Sequence, residues 1–284
     1  MNRLPLAKRA QILSLLCEGS SMRSVSRLVD VSINTVTREL ILAGQACTAF
    51  HDQVVRNVNS KRIQCDEIWS FCYSKAKNVP EEKRGKFGYG DVWTWTAIDA
   101  DSKLCLSWFL GGRDAGAAYY FMMDLSERLT SRVQLTTDGH KTYLSAVESA
   151  FGIGIDYAML VKIYGASPEG ETRYSPAVCI GTERHAVTGD PDPEHISTSY
   201  VERSNLTMRM HMRRFTRLTN AFSKKIENHG HMVALYTVWY NFVRIHKTLR
   251  MSPAMAAGVT SALLSMENVV EMVDQWEAAK KTAT

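Results

Sequence analysis

The stretch Val133 to Phe151, VQLTTDGHKTYLSAVESAF, changes periodicity across three polar residues. Val133 to Thr137 reads as a short strand ending at Asp138-Gly139-His140, and Lys141 to Phe151 follows at once as a helix. In open α/β sheets, ligands sit beyond the carboxyl ends of the strands, and Asp138 stands there. Asp138 also fits a helix cap, so both readings stay open at this point. His140 reads as a solvated loop residue.

Upstream, Lys61 to Tyr73, KRIQCDEIWSFCY, is a β-rich run holding two acids, Asp66 and Glu67. An acid inside an apolar strand is costly unless it is paired or bound to metal. Strand parity does not choose between the two. Val92 to Asp99 and Leu104 to Leu110 read as strands joined by a turn whose aspartates are turn residues. Asp114 caps a helix running to Leu129. Downstream, Ile155 to Tyr164 is a further strand. Gly165 to Pro193 reads as an excursion, with a strand at Ala177 to Ile180. Three strands, a helix, a strand, a helix, a strand and a helix make a mixed sheet flanked by helices.

After the excursion comes Ser199 to Lys225, SYVERSNLTMRMHMRRFTRLTNAFSKK, with seven Lys/Arg against one Glu. Read as one helix, it places Glu202, Asn205, Arg209, Arg213 and Arg217 on a single face. A carboxylate followed by an amide and three guanidinium groups suits a divalent ion beside phosphates. Ser199 and Glu202 equally fit a capping box. Ile226 to Ile245 reads as a long, mostly buried helix that ends in a basic cluster, Arg244, His246, Lys247 and Arg250. Ser252-Pro253 stops it, and Ala262 to Ala279 is a final amphipathic helix.

The first fifty residues differ in character. Leu6 to Cys17 is a helical stripe, Ser20 or Ser21 caps a short second helix, and Ser32 caps a third over Ile33 to Ala43. Helix, short helix, turn and helix is the helix-turn-helix pattern. It would turn Asn34, Thr35, Thr37 and Arg38 toward a major groove. Gly44 to Asn59 reads as a linker or an extra helix. The expected division is a DNA-binding unit at 1–46, a linker at 47–60, a catalytic domain at 61–258 and a C-terminal helix at 259–284.

Composition narrows the class. The 284 residues are 45% hydrophobic and 22% charged, with a net charge of +5, as in a soluble globular protein with some affinity for nucleic acid. Six cysteines without a C-x-x-C pair argue for reduced thiols and against structural zinc. The N-terminus, MNRLPLAKRAQ, lacks the apolar core of a signal peptide. Charges interrupt the most apolar span, Ala146 to Gly165, so no membrane helix is expected. Without a G-x-x-x-x-G-K-[ST] loop, ATP hydrolysis has no support.

Asp66, Asp138 and Glu202 thus come from three separate elements. Three converging carboxylates can hold two Mg²⁺ ions about 4 Å apart, an arrangement suited to in-line displacement at phosphorus. QCDEIW at Gln64 to Trp69, TTDGH at Thr136 to His140, VERSN with its trailing arginines and FSK, and WYNFVRIHKTLRMSPAMAAG at Trp239 to Gly258 together resemble a DDE transposase. The resemblance is to insertion-sequence enzymes of the IS-one type and covers about residues 60 to 258.

That resemblance implies a ribonuclease-H-like α/β fold behind an N-terminal helix-turn-helix domain, with Asp66, Asp138 and Glu202 as catalytic and metal-binding triad. It selects Asp66 over Glu67. It goes with two Mg²⁺ ions, replaceable by Mn²⁺, and with a DNA contact from Arg209, which stands two helical turns after Glu202 like a basic residue of related enzymes. Arg203, Asn205, Arg213, Arg217 and Lys224 are further candidate DNA contacts on the same basic stretch. The implied partners are double-stranded DNA, as transposon terminal repeats and target, and further copies of the chain as a dimer or larger assembly. The implied setting is a prokaryotic cytoplasm, in association with the nucleoid. Many IS-one relatives carry a cysteine-rich zinc finger before the helix-turn-helix, and this chain does not. Two other readings share these residues: a nuclease that cuts without joining, and a DNA-binding regulator that has lost catalysis.

Overall fold

The computed structural model describes residues 3–165, 178–216 and 219–282. Its centre is a sheet of order β3-β2-β1-β4-β5-β6. The strands are β1 (Arg62–Cys72), β2 (Gly90–Asp99), β3 (Cys105–Gly111), β4 (Gln134–Asp138), β5 (Asp156–Tyr164) and β6 (Cys179–Thr188). β1, β2 and β3 form an antiparallel meander, β4 and β5 join β1 in parallel, and β6 returns antiparallel at the edge.

The helices are α1 (Leu6–Cys17), α2 (Met22–Val29), α3 (Ile33–Val54), α4 (Ala115–Ser126), α5 (Thr142–Phe151), α6 (Ser199–His211), α7 (Ile226–Val238), α8 (Pro253–Ala256) and α9 (Met266–Thr282). The expected caps form where short polar side chains precede apolar runs. Ser21, Ser32 and Asp114 accept hydrogen bonds from the backbone N–H groups of Ser24, Thr35 and Ala117. Each satisfies a donor that the first helical turn would otherwise leave unpaired. Ser252 does the same for α8, with Pro253 at its first position. The Ser-Pro pair therefore opens a helix and does not stop the preceding one, which ends in a π-helical turn at Trp239–Val243 where Arg244 turns extended (φ −77, ψ 129).

Three elements depart from the sequence reading. The first is α3, which runs unbroken through the boundary expected at residue 46 as far as Val54. The run of small residues from Ala43 to Ala49 looks weak as a helix but lets α7 approach closely. A side chain on Gly44 would strike the Cα and Cβ of His231. Further along, Phe50 packs edge-on against Phe242 with ring centroids 5.0 Å apart, and His51 is buried against the carbonyl of Cys105. Gly44→Ala is expected to force α3 and α7 apart and to lower stability by about 2–3 kcal/mol, as overpacking does. Urea denaturation measures it, and an unchanged midpoint would show that this contact can relax.

The second is β6, whose 10 residues lie within what was expected to be an excursion and run well past the short strand expected there. Its residues are mostly exposed. An edge strand covered on neither face needs no apolar alternation, so its charged centre, Thr182 to His185, carried no strand signal. Of the strand expected at 177–180, residue 177 lies outside the described residues.

The third is the helix after Glu202. It stops at His211, because Met212 turns extended (φ −118, ψ 109). Met212 and Phe215 then enter the core, and Phe215 packs on His229 at 5.0 Å between ring centroids. The single arginine face expected from Glu202 to Arg217 is thereby broken after Arg209. Arg217 itself lies outside the described residues.

The N-terminal helices share one continuous apolar core with the sheet. A buried ion pair, Arg9 Nε to Glu39 Oε2 at 3.0 Å, ties α1 to α3, and Arg9 also reaches Asp274 of α9 at 2.6 Å. Arg128 clamps the far end of α3 through Asp52 (3.0 Å) and the carbonyl of Val55 (3.0 Å) while holding Asp124 of α4 (2.7 Å).

Candidate active site

β1 and β4 run parallel with Cys65 opposite Thr137, so the next residues, Asp66 and Asp138, stand side by side where β4 ends. Oxygen atoms of Asp66, Glu67 and Asp138 lie within 4.8 Å of one another. A cleft of about 500 Å³ opens over them, lined by Asp66, Asp138, Arg113, His140, Lys162 and Glu202.

Gln64 fixes the helix that crosses this sheet face. Its Oε1 accepts from the N–H groups of Tyr200 (2.8 Å) and Val201 (3.1 Å), satisfying two open donors at the start of α6. With α6 seated, the stripe Val201, Asn205, Met208 is buried against the sheet. Asn205 Nδ2 then donates to Asp66 Oδ2 at 2.9 Å, while its Oδ1 accepts from Thr96 Oγ1 at 3.2 Å. The expectation that Asn205 contacts DNA is corrected here. At 4% exposure it is spent on orienting Asp66. Asp66 Oδ1 accepts the Glu67 N–H at 2.8 Å, which fixes the rest of the carboxylate.

Asp138 does not cap α5, whose start has no side-chain cap. Its Oδ1 accepts the His140 N–H at 3.0 Å, and Arg113 approaches Oδ2 at 3.4 Å. Glu202 is not a capping-box residue either. Thr198 takes the cap position and gives its hydroxyl to Glu202 Oε1. The other oxygen of Glu202 pairs with Lys162 on β5. Glu202 therefore faces the same cleft but stays outside the tight acidic cluster, held by a cation of the chain itself.

Glu67 points to the opposite face from Asp66, toward α5. Its side chain is 1% exposed with only Arg113, at 3.6 Å, to balance its charge. Its Oε1 has no hydrogen-bond partner among the described residues. Burial, then the Asp138 charge, pushes the Glu67 carboxyl up to about 8. Burial and Asp138 also raise Asp66, to about 6, with a smaller contribution from Glu202. Burial, with Glu67 next, lifts the Tyr143 phenol well above its ordinary range. Crowded acids that resist ionisation mark a place where positive charge is wanted.

Sequence reasoning missed three participants. Arg113 lies in a loop, over the face of Trp93 at 4.8 Å, and only tertiary folding brings it to the acids. Lys162 sits on β5 with nothing in its neighbours to mark it. Glu67 was seen but passed over in favour of Asp66. His140 lines the cleft, and its side chain contacts Thr142 and, edge-on, Trp95 at 6.1 Å.

The remaining expected residues are scattered. Arg203, Arg213 and Lys224 are exposed, and Arg209 is half-buried. Asn34 is exposed at the start of α3. Thr35 and Thr37 spend their hydroxyls on Ser32 and on the Ile33 carbonyl, and Arg38 lies 3.3 Å from Glu39. No described helix is long and apolar enough to cross a membrane.

No protein-family model and no curated protein sequence matches the chain. Its structural neighbours include transposases. One is a Mos1 transposase paired-end complex with left transposon end, at 12% identity and TM-score 0.24, over 55% of this chain and 60% of that one. A second is a piggyBac transposase synaptic complex with hairpin DNA, at 10% identity and TM-score 0.39, over 94% and 69%. A third is a Mos1 mariner paired end complex with Mn, at 13% identity and TM-score 0.21, over 53% and 58%. The chain thus spans about three fifths of the Mos1 chains it resembles.

Proposed function

We propose that this chain is a DDE transposase of ribonuclease-H-like fold, akin to insertion-sequence enzymes of the IS-one type. It would cut DNA at transposon ends and join the freed 3′-OH to target DNA. The observation that carries the reading is the pairing of Asp66 with Asp138 at adjacent parallel strand ends, with Glu202 across the same cleft. Strand order β3-β2-β1-β4-β5 with α6 laid over β1 supports the same reading. Residues 1–46 would form the helix-turn-helix unit that presents Asn34, Thr35, Thr37 and Arg38 to DNA.

The donor set fits a hard divalent cation. All the cluster's ligand atoms are carboxylate oxygens, the donors that hard cations prefer. Asp66, Asp138 and Glu202 would hold Mg²⁺, or Mn²⁺ in its place, most simply as two ions. Bound there, the ions would supply Lewis-acid stabilisation of charge at phosphorus. The chain's own part is positional. Asn205, itself held by Thr96, orients Asp66, Gln64 anchors the helix that carries Glu202, and Lys162 keeps Glu202 at the rim of the cleft. Cleavage at two ends calls for at least two copies of the chain.

Arg203, Arg209, Arg213 and Lys224 would hold phosphates around the cleft, with Arg217 a further candidate from the sequence. Arg209→Ala with Arg213→Ala is expected to weaken binding to every duplex alike and to flatten its salt dependence. Each lost phosphate contact takes about 0.9 from the slope of log K against log salt. Titrations at several salt concentrations measure it, and an unchanged slope would remove both residues from the DNA path. The whole reading is tested by Mg²⁺-dependent cleavage and by strand transfer with pre-cut ends, since a nuclease would cut but not join.

A further inference from the structure

A cavity of about 670 Å³ lies further along β1 from the acids and is lined by Trp69, Phe71, Phe222, Arg214, Lys75 and Lys77 among others. Its origin is topological. β1 runs from Arg62 to Cys72, but its ladder with β4 covers only Arg62 to Cys65. Beyond Asp66 the β4 side of β1 is therefore open, until the segment at Ser223 closes against Cys72 and Tyr73. The gap left between is walled by aromatic rings. Trp69 and Phe71 stand 5.8 Å apart at 40°, and Phe71 and Phe222 stand 4.9 Å apart at 32°. None of these three rings is buried.

The charge around the rings is of one sign. Lys75 and Lys77 are exposed at the mouth, and no acid lines the cavity among the described residues. Arg214 lies at its wall with hydrogen bonds to Ser223 Oγ, the Asn228 carbonyl and Met22 sulfur, all neutral acceptors. No carboxylate pairs with it among the described residues. Burial pulls its guanidinium down to about 10, as expected of a cation left without an anion.

We infer that this cavity receives an unpaired nucleotide of the DNA held at the acidic site, its base against Trp69, Phe71 and Phe222 and its phosphate toward Arg214, Lys75 and Lys77. Flat π faces combined with cations and no acids are what unstacked bases select. A duplex keeps its bases stacked on one another, so these rings contribute only when a base has left the stack. Trp69 follows Glu67 on the same strand face by two residues, about 7 Å, and Glu67 belongs to the acidic cluster, so the occupant lies within a nucleotide or two of the phosphate at the acids. The inference rests on the DNA reading above and assigns that DNA locally frayed ends.

The test compares binding of the full chain to a blunt duplex and to the same duplex with a short unpaired flank, in EDTA so that nothing is cut. The wild type should prefer the flanked duplex by about tenfold, the effect of one base–aromatic stack. Trp69→Ala and Phe222→Ala should each abolish most of that preference and leave blunt-duplex binding nearly unchanged, and Trp69→Phe should keep it. A 2-aminopurine in the flank should be quenched on binding to wild type and not to Phe222→Ala. Should Trp69→Ala fail to fold, Phe222→Ala alone decides. Full preference in a folded alanine variant, or none in wild type, overturns the inference. Metal-dependent cleavage without any flank preference would discard the cavity and keep the enzyme. A flank preference in a chain that never cleaves would do the reverse.

Discussion

Asp138→Asn should lower Mg²⁺-dependent strand cleavage at least a thousandfold, about 4 kcal/mol of barrier, with binding to transposon-end DNA intact. The amide keeps the shape of the carboxylate and can still accept the His140 N–H now held by Oδ1. What disappears is one of three carboxyl groups whose oxygens lie within 4.8 Å of one another, and with it an oxygen ligand suited to a hard cation. Binding should persist because the candidate phosphate-holding residues, Arg203, Arg213 and Lys224, lie exposed outside the acidic cluster. Asp66→Asn and Glu202→Gln should behave alike, for different reasons. Asp66 is held by Asn205, whereas Glu202 must leave Lys162 to join the other two acids. Gel assays of cleavage beside anisotropy measurements of binding separate the two properties. Wild-type-like cleavage by any one variant would remove that residue from the site.

Glu67→Gln should make the metal-free protein more stable at alkaline pH by as much as ~4 kcal/mol. The Glu67 carboxyl rises from an ordinary 4.5 to about 8 on folding. Between those values the folded chain holds a proton that the unfolded chain has released. Stability therefore falls as pH rises through that window, and the full penalty is present above about pH 8. Asp66, raised from 3.8 to about 6, adds a loss of the same sign at lower pH. Glutamine keeps the buried shape and has no proton to lose, so the gain should vanish near pH 5 and grow steadily to pH 8.5. Guanidinium melts in EDTA across that range give the answer. Parallel curves for variant and wild type would mean that Glu67 ionises in the fold as easily as outside it.

Much of the architecture is written in short-range pattern. The strand-to-helix switch at Asp138, the apolar runs of β1 to β5, and the caps at Ser21, Ser32 and Asp114 each lie within a few neighbouring residues. Backbone preference and side-chain capping act at that range, so these features were legible. β6 was not, because an edge strand exposed on both faces carries no alternation. The full length of α3 was not, because its second half is held by Phe242, Arg128 and α7 rather than by its own pattern.

The candidate site divides along the same line. Linear sequence singled out Asp66, Asp138 and Glu202 as acids in places where acids are expensive or exposed to ligand. It could not say which of Asp66 and Glu67 faces α6, because parity in β1 is fixed only when a second layer covers one side. Nor could it show that Asn205 turns inward to Asp66, that Arg113 and Lys162 stand among the acids, or that Glu67 is buried with an unpaired oxygen. Those facts rest on contacts between residues from 25 to 139 positions apart, where chain order conveys no distance. The sequence marked which acids are candidates for the chemistry, and the packed sheet decided which of them meet.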